Sequence, residues 1–425
     1  MKKVTTRNAW AWIPSLYFAE GLPYVVVMTV SVIMYKRLGL SNTDIALYTS
    51  WLYLPWVIKP FWSPLVDNLR TKRFWIISMQ LLVGGGLAGV AFTIPAGNFV
   101  QYSLAFLWLM AFSSATHDIA ADGFYMLGLS EQKQAFFVGI RNTFYRFAML
   151  AGQGPLVILA GYLEESSNTI SWAWSITFFI LAALFLAFFL WHMLILPYPV
   201  PDKNRGNKTT KEILADFAET FISFFQKKGI FTGLIFLLVF RLGEAQLVKL
   251  ASPFMLDDQM QGGLGLSTAN IGFVYGTAGI IALTAGGILG GIAVSAHGIK
   301  RWLWPMVMAM NLPNLVYVYL AFVQPQDLTL ITASVVIEQF GYGFGFTLYM
   351  LFMIYLSQGE HKTAHYALCT GFMALGMMLP GMISGWMQET LGYQNFFLWV
   401  MLCTVPGFAI AGFLKIDPAF GTKKA

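Results

Sequence analysis

Ser113-Ser114-Ala115-Thr116-His117-Asp118-Ile119-Ala120-Ala121-Asp122 sets two carboxylates four residues apart inside an apolar run from 99 to 128. A run of that length crosses a bilayer as a helix, for which about 20 apolar residues suffice. On such a helix Asp118 and Asp122 share one face. A carboxylate at mid-bilayer depth costs about 2.5–3.5 kcal/mol on insertion scales, so chains keep one only where it meets a pathway or a partner. The other strongly acidic residues in apolar sequence follow suit. With Asp118 and Asp122, Glu20, Glu244 and Glu338 fall on the first, fourth, seventh and tenth of twelve apolar segments. That regular spacing outlines one shared cavity, the pattern of a transporter.

The twelve segments lie at 9–35, 43–65, 74–95, 99–128, 135–161, 171–196, 230–256, 268–296, 302–324, 328–357, 363–388 and 395–415. Hydrophobic residues make up 57% of the chain and charged ones 11%, whereas soluble domains carry about 25% charged residues. Orientation follows from basic residues in short loops. With a cytoplasmic N-terminus, Lys2, Lys3, Arg7, Arg70, Lys72, Arg73, Lys133, Lys300, Arg301 and the linker lysines fall inside, and only Lys36 and Arg37 fall outside. Both termini are then expected in the cytoplasm. The net charge of +6 reports this topology and gives no reason to invoke nucleic acid. The first segment is too long for a cleavable signal and is expected to remain as a helix. Cys369 and Cys403 fall inside late segments and suggest neither a disulfide nor a metal site.

Between Pro197 and Gly229 the apolar pattern stops. The expected organisation is therefore a six-helix bundle over 1–196, a cytoplasmic linker over 197–229 and a second six-helix bundle over 230–425. Within the linker, Ile213, Leu214, Phe217, Phe221 and Phe224 recur at helical intervals, which predicts an amphipathic helix from Lys211 to Phe225 on the membrane interface.

The halves repeat each other. Gly39-Leu40-Ser41 entering the second helix recurs as Gly265-Leu266-Ser267 entering the eighth, and Tyr125-Met126-Leu127 recurs as Tyr349-Met350-Leu351. Parallel six-helix repeats build major facilitator transporters, with substrate near the midplane between the halves. The fold class read from the sequence is an all-α integral membrane protein of twelve transmembrane helices in two pseudo-symmetric bundles.

Phe61-Trp62-Ser63-Pro64-Leu65-Val66-Asp67, the Ser113–Asp122 stretch, Tyr145-Arg146 and Arg241-Leu242-Gly243-Glu244-Ala245 resemble the AmpG-type muropeptide permeases. Glu338 with Gly341, Gly343 and Gly345, then Tyr366-Ala367-Leu368 and Gly385-Trp386, carry the resemblance to the end of the chain. The loop after the second helix resembles a major facilitator signature, with Asp67 at its acidic position and Lys72 and Arg73 at its basic ones, while Ser63 and Arg70 replace its usual glycines. The resemblance implies proton-driven import of anhydromuropeptides across a bacterial inner membrane. The same group holds ferri-siderophore permeases and acetyl-coenzyme A transporters, so another bulky solute stays open as cargo. A membrane enzyme on lipid-linked sugars is disfavoured by short loops and dispersed charges, and a sensor that has lost transport is a third alternative.

Counting depth along the hairpin that turns near Glu131 pairs Asp122 with Arg141 and Asp118 with Arg146. The four charges either lock the hairpin or release an Arg to an anionic cargo group when an Asp is protonated. Glu20, beside Gly21 and before Pro23, has no local cation, and the Gly-Leu-Pro sequence is expected to loosen the backbone there. Glu244 lies three residues after Arg241, within reach of an intrahelical pair. Glu338 precedes the Gly341-Gly343-Gly345 face, where small residues let helices approach closely. These five acids are the candidate proton-coupling groups. Arg141, Arg146, Arg241, His117, Tyr24 and Tyr145 are the candidate substrate contacts, with Tyr17 and Tyr349 as further ring-and-hydroxyl candidates. His117 has no neighbouring His or Cys to make a metal site. Asp67, Lys72 and Arg73 are candidate gate residues, and Lys59 either snorkels or pairs with Asp67. No cofactor is implied. The expected partners are a small-molecule solute, a proton and the lipid bilayer, with the chain acting as a monomer.

Overall fold

The computed structural model describes residues 8–198, 210–417 and 420, and no strand occurs among them. In chain order the helices are α1 (Ile13–Val25), α2 (Ser31–Arg37), α3 (Asn42–Trp51), α4 (Leu54–Leu69), α5 (Lys72–Thr93), α6 (Phe99–Gly128), α7 (Glu131–Gln153), α8 (Pro155–Ser167) and α9 (Ile170–Ile195). There follow α10 (Thr210–Phe225), α11 (Ile230–Val239), α12 (Leu242–Leu256), α13 (Thr268–Ile271), α14 (Ile280–His297), α15 (Ile299–Asn311), α16 (Leu315–Val323), α17 (Leu328–Ser357), α18 (Lys362–Leu402) and α19 (Val405–Ala411). Some of these join end to end. A π-helical turn at Val26–Val30 carries α1 into α2, and a second at Gly272–Gly279 carries α13 into α14. The loosening expected near Glu20 thus falls after Pro23, whose ring removes an N–H from the helix, and α1 stays α-helical through Glu20.

Ten stretches among the described residues are long and apolar enough to cross a membrane. Two features account for the difference from the twelve read in the sequence. Ala364–Ala411 counts as one stretch of 48 residues, but it turns at Gly392, where φ 72° and ψ 163° suit a residue without a Cβ. Its two arms match the expected spans 363–388 and 395–415. The expected span 43–65 is divided between α3 and α4, parted at Leu52 and Tyr53.

The helices gather into two compact units, Met1–Ser31 with Ile58–Ala215 and Val32–Val57 with Asp216–Ala425. These units differ from the sequence halves, because α2, α3 and the start of α4 pack with the second. In the first unit α5 presents glycines to its neighbours. A Cβ at Gly89 would stand 2.4 Å from the Phe106 ring of α6, and one at Gly84 would stand 3.3 Å from Phe185 of α9. In the second unit α17 is held from two sides. A Cβ on Gly341 or Gly345 would meet backbone carbonyls of α15, at 2.3 and 2.5 Å, and one on Gly343 would meet Leu283 O of α14 at 2.0 Å. The small-residue face read from the sequence therefore seats two helices, one on each side.

The linker helix α10 forms as expected, with the side chains of its first turns, including Ile213, Leu214 and Phe217, outside the described set. Its far end docks on protein. Phe224 is fully buried against Phe372 and His365. Lys227 donates to Leu356 O at 2.8 Å and to Gln358 O at 2.7 Å, satisfying carbonyls at the end of α17.

Candidate functional site

Each unit carries its own cluster of charged side chains among its helices. In the first, α1, α4, α6 and α7 bring together Tyr17, Glu20, Lys59, Asp118, Asp122 and Arg141. The expected pair of Asp122 with Arg141 forms, with Arg141 Nη1 2.8 Å from Asp122 Oδ1. The same nitrogen donates to the Tyr17 hydroxyl at 2.9 Å, and the guanidinium lies over the Tyr17 and Tyr125 rings at 4.8 and 5.0 Å. The expected pair of Asp118 with Arg146 does not form. Asp118 is paired with Lys59 of α4 instead, and Arg146 makes no ion pair among the described residues. Equal depth on a hairpin fixes height along the helices but not direction around them, and α4 supplies the cation on the side Asp118 faces. Lys59 is accordingly engaged by Asp118; the side chain of Asp67 lies outside the described residues.

Glu20 is 7% exposed, and its Oε2 has no hydrogen-bond partner. Its charged neighbours are Asp118, Asp122 and Arg141. Gly21 lets α7 close on α1 here, since a Cβ would stand 2.9 Å from Tyr145 O. Tyr145 in turn neighbours Tyr24 and the three carboxyls. The cluster thus holds three acids and two cations.

His117 turns to a different helix. It is 3% exposed, and its Nε2 lies 3.0 Å from Gln80 Nε2 of α5. An amide nitrogen only donates, so the imidazole accepts there and carries its proton on Nδ1. Gln80 Oε1 accepts from His192 Nδ1 at 2.9 Å, and His192 Nε2 lies 2.9 Å from the Ser15 hydroxyl. This chain ties four helices together and occupies the His117 edge that the sequence reading gave to cargo.

In the second unit the expected intrahelical pair of Arg241 with Glu244 is absent. The helix breaks at Arg241, the N-cap of α12 with φ −102° and ψ 18°, so regular spacing no longer places the side chains together. Arg241 Nη2 donates to the Tyr342 hydroxyl at 2.5 Å, and its guanidinium lies 4.9 Å from the Phe346 ring centre. Neither carboxyl oxygen of Glu244 has a hydrogen-bond partner, nor has Glu338 Oε1. Glu338 Oε2 accepts from Gln339 Nε2 at 2.9 Å, and Glu244 is the charged neighbour of Glu338. Tyr349 is fully buried and spends its hydroxyl on Leu237 O at 2.5 Å, which makes it core.

The repeat relates the clusters position by position. At the offset that superposes Tyr125 on Tyr349, Glu20 falls on Glu244, Tyr17 on Arg241, Asp118 on Tyr342 and Asp122 on Phe346. Cation and aromatic have changed places. In the first unit an Arg from α7 lies against a Tyr of α1, and in the second an Arg of α12 lies against aromatics of α17.

The candidate gate residues have structural duties. Arg73 donates to Met193 O at 2.5 Å and Leu196 O at 3.3 Å, where the end of α9 leaves carbonyls unpaired, and it lies 4.1 Å from the Tyr198 ring centre. The Lys72 stem fills the notch at Gly123, where a Cβ would stand 2.6 Å from its Cε.

A network missed by the sequence reading lies within the second unit. Lys36 pairs with Asp257 at 2.6 Å and donates to Asn42 Oδ1 at 2.8 Å. Asn42 Nδ2 donates to Gln388 Oε1 at 2.6 Å and to the Tyr393 hydroxyl at 2.9 Å. That hydroxyl donates to Asp257 Oδ2 at 2.7 Å, while Thr43 donates through N and Oγ1 to Glu389. The signal available was slight: Lys36 and Arg37 stand alone as basic residues on their side of the chain.

Helices apolar on all sides, linked by short loops and carrying paired and unpaired charges at depth, define a membrane transporter. Residues 15–379 match the Major Facilitator Superfamily model, and the chain belongs to that family. Among its relatives, the putative transporter AmpG 4 of Rickettsia conorii is 24% identical over 94% of this chain and 95% of that one. The anhydromuropeptide permease of Escherichia coli K12 is 24% identical over 93% of this chain and 77% of its own length. The fold is shared with a bacterial homologue of the lysosomal transporter Spinster, with TM-score 0.70 and 16% identity over 94% of each chain. It is also shared with a D-xylose-proton symporter, with TM-score 0.67 and 12% identity over 96% of this chain and 97% of that one.

Proposed function

We propose that this chain is a proton-coupled importer of anhydromuropeptides, working as a monomer by alternating access in a bacterial inner membrane with both termini cytoplasmic. The cargo class is taken from the E. coli relative's name. The observation that carries the coupling is the first cluster: Lys59 and Arg141 are matched to Asp118 and Asp122, and Glu20 keeps a buried oxygen with no donor. Two cations against three carboxyls leave one negative charge, which a single bound proton cancels. Protonating Asp122 would free Arg141, whose Nε already lacks a partner, for a cargo carboxylate. Glu244 and Glu338 offer the same capacity in the second unit.

The test is uptake of labelled anhydromuropeptide into proteoliposomes under an inward proton gradient. Gradient-stimulated accumulation is expected, and equal uptake with the gradient collapsed would refute the coupling. Uptake of a ferri-siderophore in its place would move the cargo to the neighbouring branch of the group. In the Glu20→Gln, Asp118→Asn and Asp122→Asn variants, accumulation should be lost while exchange against preloaded cargo persists. A variant that accumulates normally takes that carboxyl out of the coupling path.

A further inference from the structure

Lys249, on α12, is 1% exposed and makes no ion pair among the described residues. Lys59, Arg141 and Arg241 fare differently, since Lys59 and Arg141 each have an aspartate and Arg241 has Glu244 among its charged neighbours. Arg146, which also makes no ion pair among the described residues, is more exposed than Lys249. The Lys249 ammonium donates to Thr49 Oγ1 at 2.9 Å and lies 5.1 Å from the Tyr53 ring centre. Thr49 already donates its own proton to Ile45 O at 2.7 Å. Two of the three ammonium hydrogens are therefore unspent.

Beside it, the Ser50 hydroxyl is fully buried and unpartnered. Both side chains lie against Gly381 of α18, where a Cβ would stand 2.6 Å from Ser50 Oγ and 3.5 Å from Lys249 Cγ, so the helices close over them there. A buried cation without a counter-ion next to a buried hydroxyl without an acceptor is unfavourable as packing. Both are donors lacking an acceptor, and for the ammonium a negatively charged one is the natural match.

We propose that Lys249 and Ser50, uncovered when the helices part at Gly381, form a subsite for a carboxylate of the transported solute. Two ammonium hydrogens and one hydroxyl hydrogen suit the two oxygens of a carboxylate, and the single positive charge matches its single negative one. Arg241 lies two turns away on the same helix stretch and shares Tyr53 as a neighbour, so a solute with a second acidic group finds a second cation about 12 Å along the axis. The subsite deepens the import reading above and rests on it for the identity of the solute.

The test uses the full chain purified in detergent and has two arms. In the first, the unfolding midpoint is followed with succinate and with its neutral analogue succinamide, for the wild type and for Lys249→Gln. Succinate is expected to stabilise the wild type, succinamide is not, and Lys249→Gln abolishes the difference. In the second, the affinities of an anhydrodisaccharide tetrapeptide and of its carboxamide form are compared. The acid should bind about tenfold more tightly, the scale of one charge-assisted bond, with that preference lost in Lys249→Gln and reduced in Ser50→Ala. Glutamine keeps an N–H donor on that side, and Lys249→Arg should retain the preference, so loss of fold is separated from loss of charge. If neither arm shows a preference that depends on Lys249, the subsite is overturned. If succinate acts through Lys249 and neither muropeptide binds, the subsite stands and the muropeptide reading falls.

Discussion

Removing one member of the Lys59–Asp118 pair strands the other, and that is the more harmful change. A buried charge left without its partner costs about 3–5 kcal/mol, whereas replacing both members by apolar residues of similar size is often neutral. These side chains are 21% and 23% exposed, so the lower end of that range applies. Lys59→Met and Asp118→Leu alone should each lower the unfolding midpoint in detergent, and the double variant should recover most of the loss. An additive loss would show that the two side chains do not act as a pair. Arg146→Gln should leave the midpoint near the wild type, because Arg146 makes no ion pair among the described residues. At this scale the sequence told which residues were buried and charged, since an acid in an apolar run declares itself. It identified partners only where one hairpin carried both, as for Asp122 and Arg141. The Lys59–Asp118 pair joins helices whose angular positions depend on packing that no local pattern encodes.

Among the elements, α17 shows what its glycines do. Ala at Gly343 puts a methyl 2.0 Å from Leu283 O, a backbone atom that moves only if α14 moves. Overpacking of this kind costs about 1–3 kcal/mol, so Gly343→Ala should unfold earlier and loosen hydrogen exchange in both α14 and α17. Gly291, also helical, has nothing within 4 Å of its would-be Cβ, and Gly291→Ala should be neutral or stabilising by up to about 1 kcal/mol. If the two variants behave alike, the close approach of α17 to α14 is refuted. The Gly341-Gly343-Gly345 row was legible in the sequence as a face for a close neighbour. That it serves two neighbours was not, because alternate residues on a helix point in different directions and composition does not say which of them meets a helix. The break at Arg241 was equally hidden, since an uninterrupted apolar run gives no stop signal, and the break is what separates Arg241 from Glu244.

For the whole molecule, the order of the chain and the order of packing part company at Val32–Val57. This stretch is encoded with the first repeat and packs with the second. Asn42 is the junction: 5% exposed, it accepts from Lys36 and donates to Gln388 and Tyr393, with Gly385 pressed against its carbonyl so that a Cβ would stand 2.0 Å away. If transport moves the two repeats against each other, residues 32–57 travel with the first, and the network about Asn42 and the Lys36–Asp257 pair must open once in each cycle. Its strength then sets a barrier, and weakening it should change rates as well as stability. Asn42→Ala leaves Lys36, Gln388 and Tyr393 each short of one partner, and since even one lost buried bond costs about 1–3 kcal/mol, hydrogen exchange over α3 should rise about tenfold or more. Asp257→Asn should do the same more mildly, because Tyr393 can still donate to the amide oxygen. Unchanged exchange over α3 in Asn42→Ala would show that backbone packing at Gly381 and Gly385, rather than the polar network, holds this stretch in place.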